Sequence, residues 1–600
     1  MSAPEIERSS MDVDIVCVGF GPATGGFLCT LSERMGNADA PPLQVMCYER
    51  AGDIGFGVSG VVTRARGIRA TFPGLDPAQI PMAAPVKQEK VAYLLDPVGA
   101  SRRSMALRAG DALLRGLGLA RHDAFELPYV PEFLHKRGGM VMSLGQFMQF
   151  VGGKLMASGA VQVWPATPVA APLIEGERVC GVRLTDQGTD RQGRPEPGFM
   201  PGMDVRAALT VVGDGPVGAV GREIDRRMGL PEGHHQHEWA VGMKMVLDLP
   251  GGVTLDAGTV FHTFGYPEPE IFGFLFVHPE RVATVGIFVP SWFYNPVRTA
   301  YRYLQHYMLH PYLWRYLRGG RLRSWGAKSI QEAGRRGEPL LAGDGWARIG
   351  EGSGSTNVLT GSGVDEAWTT GVQLAEAVAE LAKEGRPYTR ENLERAYGAR
   401  RRASWVETEG RIAEKARDGF HRGVVTGLIG MALAAFSKGR LHLAGEPKPM
   451  PDVKEYFHSR IPPDEVERIQ RECWAKGAAA HDALMERWGW PAIPYDGQLL
   501  MSQQDALLLG GKVQAPAGYA DHVTVEYPDL CERCGAKVCI EVCSGQALTA
   551  GPKGVPAFDR EKCVHCGACL WNCQTPLEDD PTRTNITFRA GAGGLHSNEN

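Results

Sequence analysis

Eight cysteines near the end of the 600-residue chain form two sets with short, regular spacing. The first set reads C-x2-C-x4-C-x3-C and the second reads C-x2-C-x2-C-x3-C. In the second pattern three thiolates hold one [4Fe–4S] cluster, and the fourth thiolate ligates a neighbouring cluster. The spacing therefore predicts two iron–sulfur clusters whose ligands cross between the sets. The predicted ligands are Cys531, Cys534, Cys539 and Cys573 for one cluster, and Cys543, Cys563, Cys566 and Cys569 for the other.

Zinc sites and disulfides are the alternative uses of closely spaced cysteines. A structural zinc ion takes four ligands, and a small secreted domain can be held by disulfides. Here each set supplies four cysteines rather than one CxxC pair, which favours iron–sulfur clusters over zinc. A chain with such clusters transfers single electrons, so the remaining residues must provide a donor, an acceptor or both.

The composition indicates a globular protein of several domains. Hydrophobic residues make up 44% of the chain and charged residues 22%, and the length exceeds a typical domain several-fold. The formal net charge of −4 gives no electrostatic reason to expect a nucleic-acid partner. The N-terminal segment MSAPEIERSSMDVD lacks the basic and apolar regions of a signal peptide. We therefore expect a cytoplasmic protein whose thiols stay reduced.

The N-terminal region has the pattern of a dinucleotide-binding turn, although a purely structural turn beside a surface glutamate is the alternative. The apolar run VDIVCVGF predicts a buried strand, and glycines and a helical pattern follow it. In such a turn the first glycine permits a tight bend, and the second lets the backbone approach a pyrophosphate at the helix N-terminus. A second strand ends in an acidic residue suited to ribose hydroxyls. The predicted contacts are Gly19, Gly21, Pro22, Ala23, Gly25 and Glu49.

Two later glycine-rich segments indicate which dinucleotide binds. ALTVVGDG predicts another buried strand that ends in glycines, and residues 346–367 predict a strand, a glycine-rich loop and a helix. Both segments resemble the FAD-binding motifs of the glutathione-reductase-type flavoproteins, although a glutamate stands where that family usually has aspartate. The resemblance implies FAD as cofactor. The expected contacts in these segments are Gly213, Asp214, Gly215, Gly350, Glu351, Gly361 and Gly363.

Residues 240–290 predict an antiparallel sheet, because several short runs alternate apolar and polar residues. Phenylalanines are frequent in these runs, and most such side chains belong to a core. A sheet beside a flavin commonly forms the wall of a substrate pocket. Phe272, Gly273 and Phe274 are therefore candidate pocket residues.

Over nearly its full length the chain resembles the electron-transfer-flavoprotein:quinone oxidoreductases, and the related nitrogen-fixation-associated pair of a flavoprotein and a small ferredoxin, here fused. The motifs are GFGPAT, ERAGDIGFGVSG, SLGQFMQFVGGKLMASG, WGAKSIQEAG and KCVHCGAC. The second motif adds Arg50, Ser59 and Gly60 to the expected cofactor contacts. The single cluster of the quinone oxidoreductases matches the second ligand set, and the other four cysteines make the tail similar to a two-cluster ferredoxin. Paired glycines of the family's quinone pocket appear here as Phe272 and Gly273.

The resemblance implies an α/β architecture with a glutathione-reductase-type FAD-binding Rossmann domain in three parts, at residues 1–75, 139–235 and 336–400. The other expected regions are an inserted substrate or quinone region at 76–138, an antiparallel-sheet quinone domain at 236–335, a helical membrane-contacting region and linker at 401–510, and a ferredoxin-like two-cluster domain at 511–600.

Residues 424–436 form a short apolar run, VVTGLIGMALAAF, between flanking cations. A membrane-spanning helix needs about 20 residues, so this run is too short to cross a bilayer. It suits a helix that lies in the membrane interface, and a buried core helix is the alternative. The resemblance favours membrane contact, because the family enzymes are monotopic and reach a lipid-soluble quinone. We therefore expect peripheral association with the inner face of the membrane.

The resemblance also implies a function. The expected activity is that of an oxidoreductase passing electrons from reduced electron-transfer flavoprotein through [4Fe–4S] clusters and FAD to a membrane quinone. Two alternatives stay open: a geranylgeranyl-reductase-like enzyme that reduces polyprenyl double bonds, and an electron-relay subunit of a bifurcating complex. Because those reductases generally lack a fused eight-cysteine tail, the first activity is favoured.

Overall fold

The computed structural model describes residues 6–36, 43–57, 59–159, 161–236, 238–511, 513–573, 575, 584–591 and 594–595. The strands, in chain order, are β1 (Ser10–Val18), β2 (Val45–Tyr48), β3 (Val61–Thr63), β4 (Ala84–Pro85), β5 (Gln88–Leu94), β6 (Ala124–Glu126), β7 (Met140–Met142), β8 (Gln162–Trp164), β9 (Val169–Glu175), β10 (Arg178–Leu184), β11 (Gln187–Thr189), β12 (Pro195–Met200), β13 (Asp204–Val212), β14 (Trp239–Asp248), β15 (Thr259–Phe264), β16 (Phe272–Val277), β17 (Val282–Pro290), β18 (Arg321–Gln331), β19 (Ala342–Gly343), β20 (Trp346–Arg348), β21 (Val513–Gln514), β22 (Val523–Val525), β23 (Leu548–Ala550), β24 (Pro556–Phe558), β25 (Ile586–Phe588) and β26 (Gly594–Leu595).

The α-helices lie between and after these strands. They are α1 (Pro22–Gly36), α2 (Arg66–Thr71), α3 (Met105–Gly116), α4 (Leu144–Ser158), α5 (Ala219–Met228), α6 (Ala300–Met308), α7 (Pro311–Leu317), α8 (Val364–Lys383), α9 (Arg390–Leu393), α10 (Ala399–Ala403), α11 (Trp405–Ala413), α12 (Val424–Phe436), α13 (Val453–Phe457), α14 (Pro463–Ala475), α15 (His481–Trp488), α16 (Gln503–Ala506), α17 (Pro528–Arg533), α18 (Val538–Glu541) and α19 (Ala568–Trp571).

A parallel sheet forms the centre of the dinucleotide-binding part. β8, β2, β1, β13 and β20 lie side by side and run parallel, while β19 adds an antiparallel edge and the β9–β10 pair joins β13. Val16 and Leu209 of the central strands are completely buried, as expected for parallel strands that are covered on both faces. The mixed α/β fold expected from the sequence is thus present.

Glycines bring α1 and α8 into close contact. A Cβ atom at Gly371 would lie 1.9 Å from the carbonyl oxygen of Ala23, and one at Gly26 would lie 2.6 Å from the carbonyl oxygen of Trp368. Only residues without a side chain fit at these two places. The contact fixes the start of α1 against α8, and both helices border the cavity described below.

The second large sheet has the strand order β18-β14-β17-β16-β15-β5-β6. Neighbouring strands are antiparallel except β15 and β5, which are parallel. The residues alternate between two faces: Leu275 of β16 belongs to the large core that includes α6 and α7, whereas Phe274 and Phe276 belong to a small cluster on the other face. This second face is directed towards the cavities.

The expected division between residues 76–138 and 236–335 does not separate two structures. β5 and β6 come from the first of these regions, yet they extend the sheet formed by the second. Sequence alternation identified the strands within 240–290, but the pairing of β5 with β15 joins residues about 170 positions apart and leaves no local signal.

The cysteine-rich tail packs against the outer strand β18 and the start of β14. The Ser329 backbone N–H donates to the carbonyl of Cys566 at 2.9 Å, and the Ser329 hydroxyl donates to the same oxygen at 2.5 Å. The rings of Trp239 and Trp571 stack with their centroids 3.9 Å apart. These contacts hold the tail on the sheet that also lines both cavities.

The apolar run at 424–436 forms α12, with the bounds expected from the sequence. One face is buried through Gly427, Met431 and Ala434, while Ile429 is 50% exposed and Phe436 is 91% exposed. The helix is therefore neither a core helix nor a free surface helix. Within the described residues, no helix has the length and apolar character needed to cross a membrane.

Candidate functional site

The first cavity lies at the carboxyl ends of the parallel strands and has a volume of about 450 Å³. Three turns that follow β1, β13 and β20 meet at this edge of the sheet, where doubly wound α/β folds bind nucleotides. The structure thus brings together sequence segments that are far apart in the chain. The expected contacts that line the cavity are Gly19, Gly21, Pro22, Ala23, Glu49, Arg50, Gly213, Asp214, Gly215, Gly350, Glu351, Gly361 and Gly363.

The turn after β1 leaves space for a ligand at the N-terminus of α1. Gly19 has a φ of 84°, and a Cβ atom there would lie 2.8 Å from the carbonyl oxygen of Gly213. A Cβ atom at Gly21 would meet no atom within 4 Å, so its absence enlarges the cavity rather than permitting a protein contact. Backbone N–H groups at the start of a helix favour anions, and this turn suits a pyrophosphate.

The N-terminus of α8 borders the same cavity. Val364 and Ala367 line it, and the preceding loop contains Gly361 with a φ of 62° and no atom within 4 Å of its Cβ position. The Gly350 N–H donates to the hydroxyl of Thr370 at 2.9 Å, which ties the loop after β20 to this helix. Two helix N-termini therefore face one cavity.

The acidic residues that follow β2, β13 and β20 hold backbone N–H groups. Glu49 accepts from the Phe20 and Ala51 N–H groups at 2.8 Å each, and Asp214 accepts from Gly221 in the first turn of α5 at 3.0 Å. Glu351 accepts from the Gln331 N–H at 2.9 Å, and burial raises the pKa of Glu351 to about 7. Each carboxylate oxygen keeps a second lone pair for a ligand hydroxyl.

Three expected cofactor contacts lie outside the first cavity. Gly25 faces Trp368 and Met148 in the packing of α1. The Ser59 hydroxyl accepts from the Gly145 N–H at 3.3 Å and so belongs to the start of α4. Gly60 lies against Thr284 and lines a second cavity instead. The sequence patterns did not distinguish these packing roles from ligand contact.

The cysteine-rich tail forms part of the wall of the first cavity through His565 and Phe588. Lys328 Nζ donates to the carbonyl of His565 at 3.5 Å, and burial, aided by nearby Arg50, lowers the pKa of Lys328 to about 8. Burial also lowers the pKa of Arg50, while the charges of Glu49 and Cys563 oppose that shift. Arg50 therefore stands between a cavity residue and a cysteine of the tail.

The electrostatic neighbours of the cysteines indicate which thiols lie close together. The pKa of Cys531 is raised by burial and then by Cys573 and Cys534, and that of Cys539 is raised by burial followed by the same two neighbours. Cys573 thus lies with the first sequence set.

Cys543 lies with the second sequence set in the same way. Burial and the neighbouring Cys566 raise the pKa of Cys543 to about 11. The charges of Cys566 and Cys543 also raise the pKa of Cys563 and that of Cys569. All thirteen cysteines are free thiols. No three His, Cys, Asp or Glu side chains within the described ranges are placed to hold a single metal ion.

Several N–H groups are directed at the cysteine sulfurs. The Ala547 and Leu548 N–H groups donate to Cys543 Sγ at 3.1 and 3.4 Å. The buried amide of Asn585 donates to Cys531 Sγ at 3.2 Å. Hydrogen bonds of this kind favour the thiolate form and tune the potential of iron–sulfur clusters. Free thiols with these donors are a suitable ligand set for clusters.

Two buried histidines lie beside the second cysteine set. The rings of His522 and His565 stack with centroids 3.8 Å apart, and His522 Nε2 lies 3.2 Å from Cys563 Sγ. Burial lowers the pKa of His522 to about 3, so this imidazole is neutral near pH 7 and can present one N–H to the sulfur. The sequence analysis missed both residues, because their partners are distant in the chain.

The second cavity is larger, about 990 Å³, and is lined mainly by apolar side chains. Phe272 and Phe274 present their rings to it from β16. Gly273 contributes only main chain, because a Cβ atom there would point to the opposite face of the sheet and lie 2.5 Å from the ring of Tyr307. The three residues expected from the sequence are thus all at the cavity, although Gly273 has a different role from the two phenylalanines.

Lys244 and Phe288 line both cavities. Lys244 Nζ donates to the carbonyl of Gly60 at 3.1 Å, and burial lowers the pKa of this lysine to about 8. The two cavities therefore adjoin along the sheet and the loop before α8, since Ile330, Gly361 and Val364 also line both. The sequence analysis missed Lys244 and His262. A single polar residue inside an apolar strand could have indicated each of them: the lysine in VGMKMVLDL and the histidine in VFHTF.

α12 lines the outer part of the second cavity. Met431, Ala435 and Phe436 belong to its lining, and Phe436 also extends into solvent. The cavity thus connects the sheet with the exposed apolar face of the helix.

Comparison with solved structures gives flavoproteins of low sequence identity. A geranylgeranyl bacteriochlorophyll reductase-like protein from Thermoplasma acidophilum is 14% identical, and the match covers 76% of this chain and 100% of that chain with a TM-score of 0.49. The flavin-dependent brominase Bmp2 is 15% identical, with a TM-score of 0.45 over 77% of this chain and 100% of that chain.

Comparison of sequences gives a match to one family model and to several relatives. Residues 239–330, which contain most of the seven-stranded sheet, match the model described as ETF-QO, ubiquinone-binding. The electron transfer flavoprotein-ubiquinone oxidoreductase of Pseudomonas aeruginosa is 27% identical over 64% of this chain and 66% of its own length. The mitochondrial enzyme of rice, Oryza sativa, is 28% identical over 72% of this chain and 69% of its own length. The chain spans just under two thirds of the first of these relatives, and its sequence is similar to those of electron transfer flavoprotein-ubiquinone oxidoreductases.

Proposed function

We propose that this protein takes electrons from a reduced electron-transfer flavoprotein and delivers them to a quinone. The arrangement of the cysteine-rich tail and the two cavities supports the proposal. The cysteine-rich tail borders the first cavity through His565, and the first cavity adjoins the second at Lys244 and Phe288. The clusters of the tail, a flavin in the first cavity and a quinone in the second cavity would therefore lie next to one another in that order.

FAD suits the first cavity. Gly21 leaves room where a pyrophosphate would approach, the N-termini of α1 and α8 supply N–H groups, and Glu49 offers oxygens for ribose hydroxyls. FAD accepts electrons singly and holds two, and each cluster carries one, so together they match one-electron steps to a two-electron quinone.

Two [4Fe–4S] clusters suit the tail. The proposed ligands are the four cysteines grouped around Cys531 and the four grouped around Cys566, with the crossed members Cys573 and Cys543. The set around Cys566 adjoins the first cavity, because Lys328 contacts the neighbouring His565. The segment around Cys531 does not line the first cavity, and this set would receive electrons from the donor.

A quinone suits the second cavity. Its volume of about 990 Å³ is at the upper end of small-molecule sites, and the rings of Phe272 and Phe274 offer flat apolar surfaces for a quinone ring. The opening along α12 would admit an isoprenoid chain from a lipid phase.

A membrane surface suits the exposed apolar side of α12 and α3. Val425, Ile429 and Phe436 follow one face of α12, where they are about half exposed or more. On α3, Met105 is 80% exposed and Leu113 is 61% exposed, a pattern unfavourable in water unless another phase covers it.

The two helices are neighbours in the fold. Leu107 of α3 packs against the apolar cluster that contains Val424, Met431 and Ala434 of α12. We infer that both helices enter the lipid interface and place the second cavity at the membrane. The sequence analysis identified α12 and missed α3, whose apolar residues are interrupted by arginines.

The proposed activity predicts that reduced electron-transfer flavoprotein reduces the protein and that a ubiquinone analogue then reoxidises it. Replacing Ala435→Trp at the mouth of the second cavity should raise KM for the quinone at least about tenfold, which is about 1.4 kcal/mol, and leave reduction by the donor unchanged. Stopped-flow spectra of the two half-reactions measure both effects. Ala475→Trp, an exposed residue at the end of α14, serves as control. Reoxidation by a polyprenyl substrate but not by quinone would instead identify a reductase.

For FAD, we expect Gly21→Val to empty the first cavity without unfolding the protein. The new side chain meets no protein atom within 4 Å of its Cβ, so it would occupy ligand space alone. The flavin content of purified protein should fall to near zero while the unfolding temperature of the flavin-free form is preserved. Gly74→Val, which also has free space around its Cβ, should retain the flavin. Full flavin occupancy in Gly21→Val would refute the assignment.

The cluster assignment predicts about eight irons per chain after anaerobic purification. The double variant Cys534→Ala, Cys573→Ala should retain about four irons, because both cysteines belong to one crossed set. The variant Cys534→Ala, Cys566→Ala should lose nearly all iron. If the sets were not crossed, the first double variant would lose both clusters as well, and iron analysis separates the two cases.

Membrane contact predicts that Ile429→Asp together with Phe436→Asp releases the protein from phospholipid vesicles. Each buried apolar side chain contributes about 1.5–3 kcal/mol, so binding should weaken at least about 100-fold in a vesicle flotation assay. Flavin and iron should stay bound, since both side chains are exposed. Met156→Asp, an exposed position on α4, is the matched control. Vesicle binding equal to that of the unaltered protein would contradict the proposal.

A further inference from the structure

Quinone reduction consumes protons as well as electrons. A quinone that gains two electrons and two protons becomes a hydroquinone, with one new O–H bond at each carbonyl oxygen. The electrons come from the donor named in the proposed function, on which this inference rests. The second cavity has a mainly apolar lining, so protons must reach the quinone through particular polar groups.

We propose that His135, Glu89 and His262 form a proton relay from solvent to the second cavity. The His135 side chain is 26% exposed, and its Nδ1 lies 3.0 Å from Glu89 Oε2. The Glu89 side chain is 5% exposed, and its Oε1 lies 3.6 Å from His262 Nε2. His262 lines the second cavity. The three side chains therefore connect a partly exposed imidazole with the cavity wall.

The sheet register places the inner two groups together. His262 of β15 is paired with Val91 of the parallel neighbour β5, and Glu89 precedes Val91 by two residues, which puts it on the same face. The Lys136 N–H donates to Glu89 Oε1 at 2.8 Å and holds the carboxylate in place.

The inner contact is slightly longer than a hydrogen bond. His262 Nε2 is buried and has no hydrogen-bond partner among the described residues. A small rotation of the imidazole brings it within bonding distance of Glu89. A relay requires a contact that can form and break, and this pair would need only that small movement.

Each cycle of the relay moves one proton. An N–H bond of the His262 imidazolium breaks as an O–H bond forms on a quinone carbonyl oxygen. The Glu89 carboxylate then accepts a proton from His135 and passes it to the neutral His262 imidazole, and solvent restores the proton of His135. Two cycles supply the two protons that the quinone takes up. Imidazole suits this task because it gains and loses a proton near neutral pH.

The charges around the relay favour release of the proton into the cavity. Burial lowers the pKa of His262, and the nearby cations Lys136 and His135 lower it further, against the opposing charge of Glu89. Burial alone would raise the pKa of Glu89, but the neighbouring imidazoles of His262 and His135 and the hydrogen bond from the Lys136 backbone bring it below its ordinary value.

Two other carboxylates at the second cavity are bound to arginines. Glu332 pairs with Arg417, and Glu409 pairs with Arg66 at 2.6 Å. A guanidinium favours the charged form of its partner, so these acids are poor proton donors. The relay through His262 instead ends at a partly exposed group that solvent can protonate.

The test follows reoxidation of fully reduced protein by a ubiquinone analogue in H₂O and in D₂O. His262→Gln should slow reoxidation about 100-fold, within the range of general acid catalysis, and Glu89→Gln and His135→Gln should slow it about tenfold or more. The solvent isotope effect should rise in all three variants, and free imidazole should partly restore His135→Gln. KM for the quinone and reduction by the donor should not change.

Matched controls remove charge or imidazole elsewhere. Glu126→Gln alters a carboxylate on β6 of the same sheet, and His458→Gln alters an exposed imidazole; both should match the unaltered protein. If His262→Gln loses flavin or iron, the reoxidation rate of His135→Gln tests the relay, because the His135 side chain is partly exposed and its replacement disturbs the fold less. Rates and isotope effects equal to those of the unaltered protein in Glu89→Gln and His135→Gln would overturn the relay. Failure of the unaltered protein to reduce any quinone would instead overturn the proposed function.

Discussion

The arrangement of the molecule depends on the two-residue alternation of the seven-stranded sheet. One face is covered by α6 and α7 and carries side chains such as Leu275. The opposite face carries Phe274 from the middle of the sheet and Lys244 from β14, so a single surface borders both cavities. A shift of one residue in register would exchange the two faces and remove every one of these groups from the cavities.

The local parts of the site could be predicted from the sequence. The glycines of the three turns, the eight cysteines and the bounds of α12 each lie in a short segment whose pattern has a direct physical reason, such as the need for a positive φ at Gly19. Gly25 shows the limit of this reasoning. Its sequence context is that of a cofactor contact, but its small size serves the packing of α1 against Trp368.

Contacts between distant segments could not be predicted in this way. Lys328 reaches His565, and Glu89 reaches His262, only because tertiary pairing brings their strands or loops together. No spacing along the chain records such a pair. The exposed apolar residues of α3 were missed for another reason, since Met105 and Leu113 are separated by Arg108 and no continuous apolar run appears.

Buried cations at the first cavity indicate that it binds negatively charged groups. Burial lowers the pKa of Lys244 and of Lys328 to about 8 each, and Arg50 is shifted in the same direction. Keeping three positive groups away from water is unfavourable unless negative charge enters with them. A diphosphate bound at the N-termini of α1 and α8 would supply that charge, and a thiolate-bound cluster would supply it on the side of Cys563. The cationic wall between the two would then be stabilised by the same ligands that it separates, and folding of the tail onto the sheet would be linked to occupancy of both sites.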